Sequence, residues 1–372
     1  MFASTRKKLT AVTIAGAATL SLAGVPESQA AATVGPSALT VRQQAGQRII
    51  YSYPGLTPPA SLLAHVRAGE AAGVIFFGDN IADPAQLAGV VRQLRQAQQQ
   101  SPVSVPLLLL TDQEGGLVRR LPGEPALSAK QVGQSANPTT AARQAGSGAA
   151  DNLTGVGLNV NLAPVLDVFY APGNFIDQSQ RSFSSNANTV ATLGTGFLTA
   201  EQQAGVAATA KHFPGLGSAT RSQNTDLGPV TLNVSLTGLR NKDERPYSAA
   251  IAAGVKLIML SWAVYPALDA TRPAGLSATV VGSELRTRLH YSGVTITDAL
   301  EAGALNAFGT PGQRAVLAAS AGMDLILCAA RDVTQGESAT NALVTALNNG
   351  QLDAAAFQGS VNRVTALRAS LH

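Results

Sequence analysis

A single cysteine and a single tryptophan are all that the 372 residues contain of either type. The cysteine, Cys328, stands inside the apolar run MDLILCAA, so no intramolecular disulfide can form and no lipid-bearing cysteine stands at an N-terminal cleavage site. Without such a staple the chain must be held together by its core, and about 340 residues are enough to build one. Aromatic residues make up only 5% of the chain, which argues against a carbohydrate-binding module studded with exposed Trp. Charge is sparse too. Residues 1–30 hold three of the 26 Lys and Arg and one of the 22 Asp and Glu, leaving a net charge of +2 on the remainder. With no basic block in it, nucleic acid is not an expected partner. Long apolar runs are missing except for Leu9 to Val25, which carries Gly, Ser and Thr and ends at Pro26, a poor membrane span. Preceded by Arg6, Lys7 and Lys8 and followed by Ser28-Gln29-Ala30-Ala31, it reads as a secretory signal over residues 1–30, cleaved near Ala30. No membrane contact is expected after cleavage.

Residues 31–45 are small and polar and read as a flexible lead-in, followed by one domain over 46–372. Within it eight short apolar runs recur: Gln47 to Tyr53, Gly73 to Phe77, Val105 to Leu110, Leu158 to Leu166, Val206 to Ala210, Val255 to Leu260, Gly293 to Ile296 and Met323 to Ala329. Between them lie Ala- and Gln-rich stretches such as Pro84 to Gln100, Thr139 to Asn152, Val190 to Gly205 and Pro246 to Gly254, whose composition favours helix. Asp83 before Pro84 and Asn137 before Pro138 each offer a capping side chain ahead of a first-turn proline. The last stretch, Leu343 to Leu371, has apolar positions at helical spacing. Alternating strands and helices predict a parallel α/β fold, and the count of eight favours a closed (β/α)8 barrel. No glycine-rich dinucleotide fingerprint follows the first strand, which weakens the open-sheet alternative.

Such a barrel gathers its chemistry where strands end. Asp79 follows the second run, and the third is followed by Thr111-Asp112-Gln113-Glu114-Gly115-Gly116 with Arg119 and Arg120 close behind. The fourth leads to Asp167 and Arg181-Ser182-Phe183, the fifth to Lys211 and His212, the sixth to Trp262 and the seventh to Asp298. Each has a structural alternative: Asp112 as a cap, Asp167 bonding loop amides, Arg181 on the surface, Asp298 as the N-cap of a helix starting near Ala299. Their joint appearance at successive strand ends points instead to one active-site mouth.

The motifs DQEGGLVRRL (Asp112 to Leu121), NLAPVLDV (Asn161 to Val168), RSF (Arg181 to Phe183), KHFPGLG (Lys211 to Gly217), YPALD (Tyr265 to Asp269) and ITDAL (Ile296 to Leu300) stand in this order. Together they resemble glycoside hydrolase family 3, in its single-domain branch of β-N-acetylglucosaminidases (NagZ-like enzymes). That resemblance implies a (β/α)8 barrel and a retaining mechanism in which Asp298 is the nucleophile. It further implies that Asp112, Arg120, Lys211 and His212 hold the sugar next to the scissile bond, with Arg181 and Asp167 lining the same pocket. A carboxylate accepts hydroxyl protons, and Lys and Arg donate to hydroxyls, so the residue types suit the task.

One feature of the branch is absent. Its loop after KHFPG carries an Asp-x-His pair whose His protonates the leaving oxygen, and the corresponding positions here are Ser222 and Asn224. Three readings follow: Asp226, two residues on, serves as acid and then base; the protein binds sugar without cleaving it; or it cleaves only activated glycosides. Trp262, where the branch often has a polar residue, is either a sugar-stacking wall or a plug. The reading as a whole is a secreted, extracellular, monomeric β-glycosidase acting on terminal N-acetylglucosamine of cell-wall or chitin-type carbohydrate, without metal or cofactor. A β-glucosidase and a glycan-binding protein are the alternatives.

Overall fold

The computed structural model describes residues 39–371, with Ala11 ahead of them. The expected signal, apart from Ala11, and the lead-in up to residue 38 lie outside the described residues. The rest of the lead-in is already structured. Thr40 caps a short helix, Val41–Gly46, by accepting the Gln43 N–H at 3.2 Å, while the Gln43 side chain accepts the N–H of Thr40 at 3.0 Å. This reciprocal cap starts the folded domain before the boundary expected at residue 46.

Eight parallel strands follow: β1 (Ile49–Tyr51), β2 (Gly73–Ile75), β3 (Leu108–Thr111), β4 (Val160–Asn161), β5 (Ala207–Phe213), β6 (Leu257–Leu260), β7 (Val294–Thr297) and β8 (Ile326–Leu327). Each overlaps one of the eight apolar runs. Sequence neighbours pair in space, and β1 also pairs with β8 through Ile49 and Ile326. A parallel bridge between Ile296 and Leu325, with hydrogen bonds of 2.9 and 3.0 Å from Leu325 to Thr295 and from Thr297 to Leu325, joins β7 to the lead of β8 and closes the barrel. Alternation along the strands divides the core in two. Ile50, Leu108, Leu110, Leu257 and Met259 belong to an inner cluster, whereas Ile49, Tyr51, Leu109, Ile258 and Leu260 pack outward in a separate one against the helices.

The outer ring consists of α1 (Ala60–Ala68), α2 (Pro84–Gln98), α3 (Pro138–Val156), α4 (Ala187–Gln203), α5 (Arg245–Ala252), the π-helical α6 (Thr279–Arg288), α7 (Pro311–Ala321) and α8 (Val333–Asn348), with α9 (Ala354–Ala369) last. Asp83 caps α2 as expected, accepting the Gln86 N–H at 2.8 Å. Asn137 makes no capping hydrogen bond to α3, so that expectation fails. The final stretch, Leu343 to Leu371, holds the end of α8 and all of α9: α8 stops at Asn348, Gly350 turns with φ +75°, and Asp353 caps α9. At the N-terminal ends of the strands, Asp324 ties this outer ring to the barrel. Its carboxylate accepts from the Thr295 N–H on β7 at 2.8 Å and from Arg363 on α9 at 2.7 Å, and it also meets Arg286 on α6.

Candidate active site

A cavity of ≈ 320 Å³ opens at the C-terminal ends of the strands. Ile75, Leu162, Met259 and Leu327, from β2, the end of β4, β6 and β8, contribute apolar surface, and Asp112, Arg120, Arg181, Lys211, His212, Asp226 and Asp298 all line it. Strand geometry alone does not put Lys211 and His212 side by side, because successive residues of a strand face opposite ways. The pairing of β5 with β6 resolves this. Lys211 is opposite Met259 and Phe213 opposite Leu260, so His212 is an extra residue, and the irregularity lets both side chains reach one cavity. The backbone then turns through Gly217, which lies so close to β4's loop that a Cβ there would stand 1.8 Å from the Val168 carbonyl oxygen.

On one wall the charged groups form a continuous chain. Lys211 Nζ lies 2.7 Å from Asp112 Oδ1 and 2.7 Å from Glu114 Oε1. Arg181 grips Glu114 with both Nε and Nη2, at 2.8 and 2.7 Å, the two-pronged geometry that a guanidinium and a carboxylate share. Arg120 Nη2 approaches Asp112 Oδ2 at 3.6 Å. Burial opposes the charge on Lys211, but Asp112 and Glu114 outweigh it and raise the ammonium above the usual lysine value. Burial likewise disfavours the Glu114 carboxylate, yet Arg181 and Lys211 prevail and hold it well below the usual range.

Asp167 was expected to line the cavity and instead lies fully buried behind it. Its Oδ1 accepts the N–H groups of Leu216 at 2.7 Å and His212 at 3.3 Å, which is the loop-amide role, while Oδ2 meets His212 Nδ1 at 2.8 Å. Arg181 Nη2 faces His212 Nε2 at 3.4 Å. His212 therefore reaches the cavity with its ring held between Asp167 and Arg181.

Three further carboxyl groups line the cavity. Asp298 accepts the Ala299 N–H at 2.7 Å, but no helix starts there, because the next helical turn is Gly303–Phe308. It is not a helix cap. Glu301, three residues on, also lines the cavity, and one of its oxygens accepts from Ala329 N–H at 3.3 Å and Gln335 at 3.2 Å. Asp226 stands at the lip, on the turn after KHFPGLG. Desolvation of its carboxyl, followed by the charge of Asp298, raises its pKa above the ordinary aspartate value, with His212 and Arg181 pulling the other way. Such a shift keeps the proton on Asp226 to higher pH.

Two residues singled out by the sequence stand elsewhere. Asp79 is exposed, 3.5 Å from Arg331 at the rim. Trp262 is fully buried, its Nε1 donating to the Ala299 carbonyl at 2.8 Å, so it is a plug and not a sugar-facing wall. Sequence reasoning missed Glu301 and also the part played by Glu114. The only signal for Glu114 was its place in the charged segment after β3, where Asp112 and the two arginines drew attention first. Among the described residues no group of three or more His, Cys, Asp or Glu is arranged to hold a metal ion.

Residues 43–367 match the family description "Glycosyl hydrolase family 3 N terminal domain". An "Uncharacterized secreted glycosyl hydrolase" of Arthroderma benhamiae is 48% identical over 92% of this chain and 98% of its own length. Among solved structures, a family 3 β-N-acetylglucosaminidase from Paenibacillus sp. superposes with a TM-score of 0.83 at 35% identity, covering 90% of this chain, which spans 63% of that longer protein. A β-N-acetylhexosaminidase from Beutenbergia cavernae gives 0.81 at 32% identity over 89% of this chain and 99% of its own.

Proposed function

The chain belongs to glycosyl hydrolase family 3, and from that premise we propose that it is an exported glycosidase releasing terminal β-linked N-acetylglucosamine from cell-wall or chitin-type fragments with retention of configuration. The observation that carries the reading is one cavity in which Asp298 and Asp226 stand together with the Lys211, Asp112 and Arg181 cluster. In the first step the Asp298 carboxylate attacks the anomeric carbon while the bond to the leaving oxygen breaks. The electron pair departs with that oxygen, which takes the proton of Asp226. In the second step Asp226, now ionised, removes a proton from water as the water displaces Asp298 from the sugar. Asp112 accepts hydroxyl protons of the sugar, and Lys211, Arg120, Arg181 and His212 hold the remaining positions of the ring. The N-acetylglucosamine preference is supported by the names of the Paenibacillus and Beutenbergia relatives. Export is supported by the N-terminal segment and by the Arthroderma relative's description as secreted.

The deciding experiment compares a nitrophenyl β-N-acetylglucosaminide, the matching β-glucoside and an N-acetylglucosamine disaccharide. Cleavage of the first and third with little of the second is the expected result. Preference for the glucoside identifies a β-glucosidase, and cleavage of none identifies a sugar-binding protein. Export is checked separately by N-terminal sequencing of protein recovered from the medium, which should begin close to Ala31.

A further inference from the structure

The turn that carries Asp226 is wired from two sides. From within, the Asn224 side-chain oxygen accepts the Asp226 N–H at 2.9 Å, and the Asn224 carbonyl accepts from Leu227 and Gly228, each at 3.2 Å. This is the local side-chain-to-backbone bond that lets Asn fold a chain back on itself. From outside, the N–H groups of Gly303 and Ala304 donate to the carbonyls of Asp226 at 2.9 Å and Thr225 at 3.0 Å. Those donors belong to the segment that leads away from Asp298.

Sterics make the contact specific. A Cβ on Gly303 would stand 2.5 Å from the Leu227 carbonyl oxygen, 2.6 Å from its carbon and 2.9 Å from the Asp226 carbonyl oxygen. All three are backbone atoms, so no side-chain rotation relieves the clash and the turn itself has to move. Gly303 is not among the glycines of positive φ, so alanine is permitted there by its own backbone. Only the docked turn forbids it.

We propose that Gly303 and Asn224 are positioning residues, which together latch the Asp226 turn onto the Asp298 segment and so set the proton donor relative to the nucleophile. Asn224 occupies the position where the resembled branch has its proton-donating His. In this chain that position shapes the turn, and the acid stands two residues later. The latch rests on the reading of Asp226 as the acid and base of the reaction.

The test uses Gly303→Ala, Asn224→Ala and Asp226→Ala, alone and combined, on the nitrophenyl glycoside and the disaccharide, with thermal unfolding as a control. A displaced acid harms a poor leaving group more than a good one. Gly303→Ala should therefore lower kcat/KM on the disaccharide by roughly tenfold to a hundredfold beyond its effect on the nitrophenyl glycoside, the scale of a misplacement of about 1 Å. Asn224→Ala should do the same to a smaller degree, and neither should add to the loss in an Asp226→Ala background. If Gly303→Ala does not fold, Asn224→Ala decides alone. Equal losses on both substrates, no loss, or losses that add to that of Asp226→Ala would overturn the latch while Asp226→Ala itself remains selective for the disaccharide. An Asp226→Ala variant without that selectivity would remove both the latch and the assignment of Asp226.

Discussion

Lys211 and Glu114 lie 2.7 Å apart with only 3% and 5% of their side-chain surfaces exposed, so the ammonium that lines the cavity is neutralised from behind by a carboxylate that does not line it. Two buried charges are costly to desolvate, and such a pair adds little to stability by existing. Its consequence is orientation. Glu114 fixes Lys211 and Arg181 together, and Lys211 in turn spans to Asp112, so these cavity-lining groups are set by one another before any ligand arrives.

Glu114→Gln leaves Lys211 with Asp112 alone and deprives Arg181 of its two-pronged partner. Breaking one side of a buried charge cluster should destabilise the fold by about 3 kcal/mol, with KM rising more than kcat falls, as measured by urea unfolding and steady-state kinetics. The sign of the pH dependence follows from the lowered pKa of Glu114. Its stabilisation is present above the ordinary carboxylate range and is lost as pH falls through the folded value, so parent and variant should converge in strong acid. A variant as stable as the parent at neutral pH would show that Glu114 is dispensable.

Asp298→Asn removes the carboxylate proposed to attack while keeping the side chain's shape. Turnover should fall by a factor of about 10⁴ or more with sugar affinity nearly unchanged, and a slow fluorosugar should label Asp298 in the parent protein. Peptide mapping that finds the label on another residue contradicts the assignment.

The raised pKa of Asp226 bears on the alkaline side of the rate profile. An acid works only while protonated, so kcat/KM on a disaccharide should decline as pH rises through that value, and Asp226→Ala should abolish this limb. Azide, which attacks the glycosyl-enzyme without a general base, should restore part of the variant's turnover on the nitrophenyl glycoside as a glycosyl azide. In a sugar-bound crystal structure the carboxyls of Asp226 and Asp298 should be about 5 Å apart. An unchanged limb and no azide product would assign the proton elsewhere.

Asp324 lies at the other end of the barrel, and burial acts against its charge, but Arg286, Arg363 and the Thr295 N–H outweigh that and lower its pKa. A depressed carboxyl stabilises the fold above its unfolded value and ceases to do so as pH falls through the folded one. Asp324→Asn should cost about 3–5 kcal/mol at neutral pH, because two arginines lose their counter-charge, and should flatten the acid side of the stability curve. Calorimetry at several pH values checks both, and a variant that loses stability in acid as steeply as the parent contradicts the linkage.

The sequence by itself determined the barrel, because each buried strand is a short apolar run and each intervening stretch has helical composition, signals carried by neighbouring residues. It also determined which polar residues follow the strands, and six of those so identified, Asp112, Arg120, Arg181, Lys211, His212 and Asp298, line the cavity, as does Asp226 on the turn beyond β5. Tertiary structure alone decided which groups pair. Arg181 and Glu114 are 67 residues apart, and nothing local to either marks the other as its partner. Asp167 passed from the cavity wall to the support of His212 because an irregularity at the end of β5 sets that ring's direction, and such a shift depends on pairing with β6. Trp262 passed from an open choice to a buried plug because the Ala299 carbonyl from the next strand end accepts its N–H. Composition and periodicity report on neighbours along the chain. Ion pairs, strand register and the docking of one loop on another arise between residues far apart in it, and their geometry exists only once the barrel has closed.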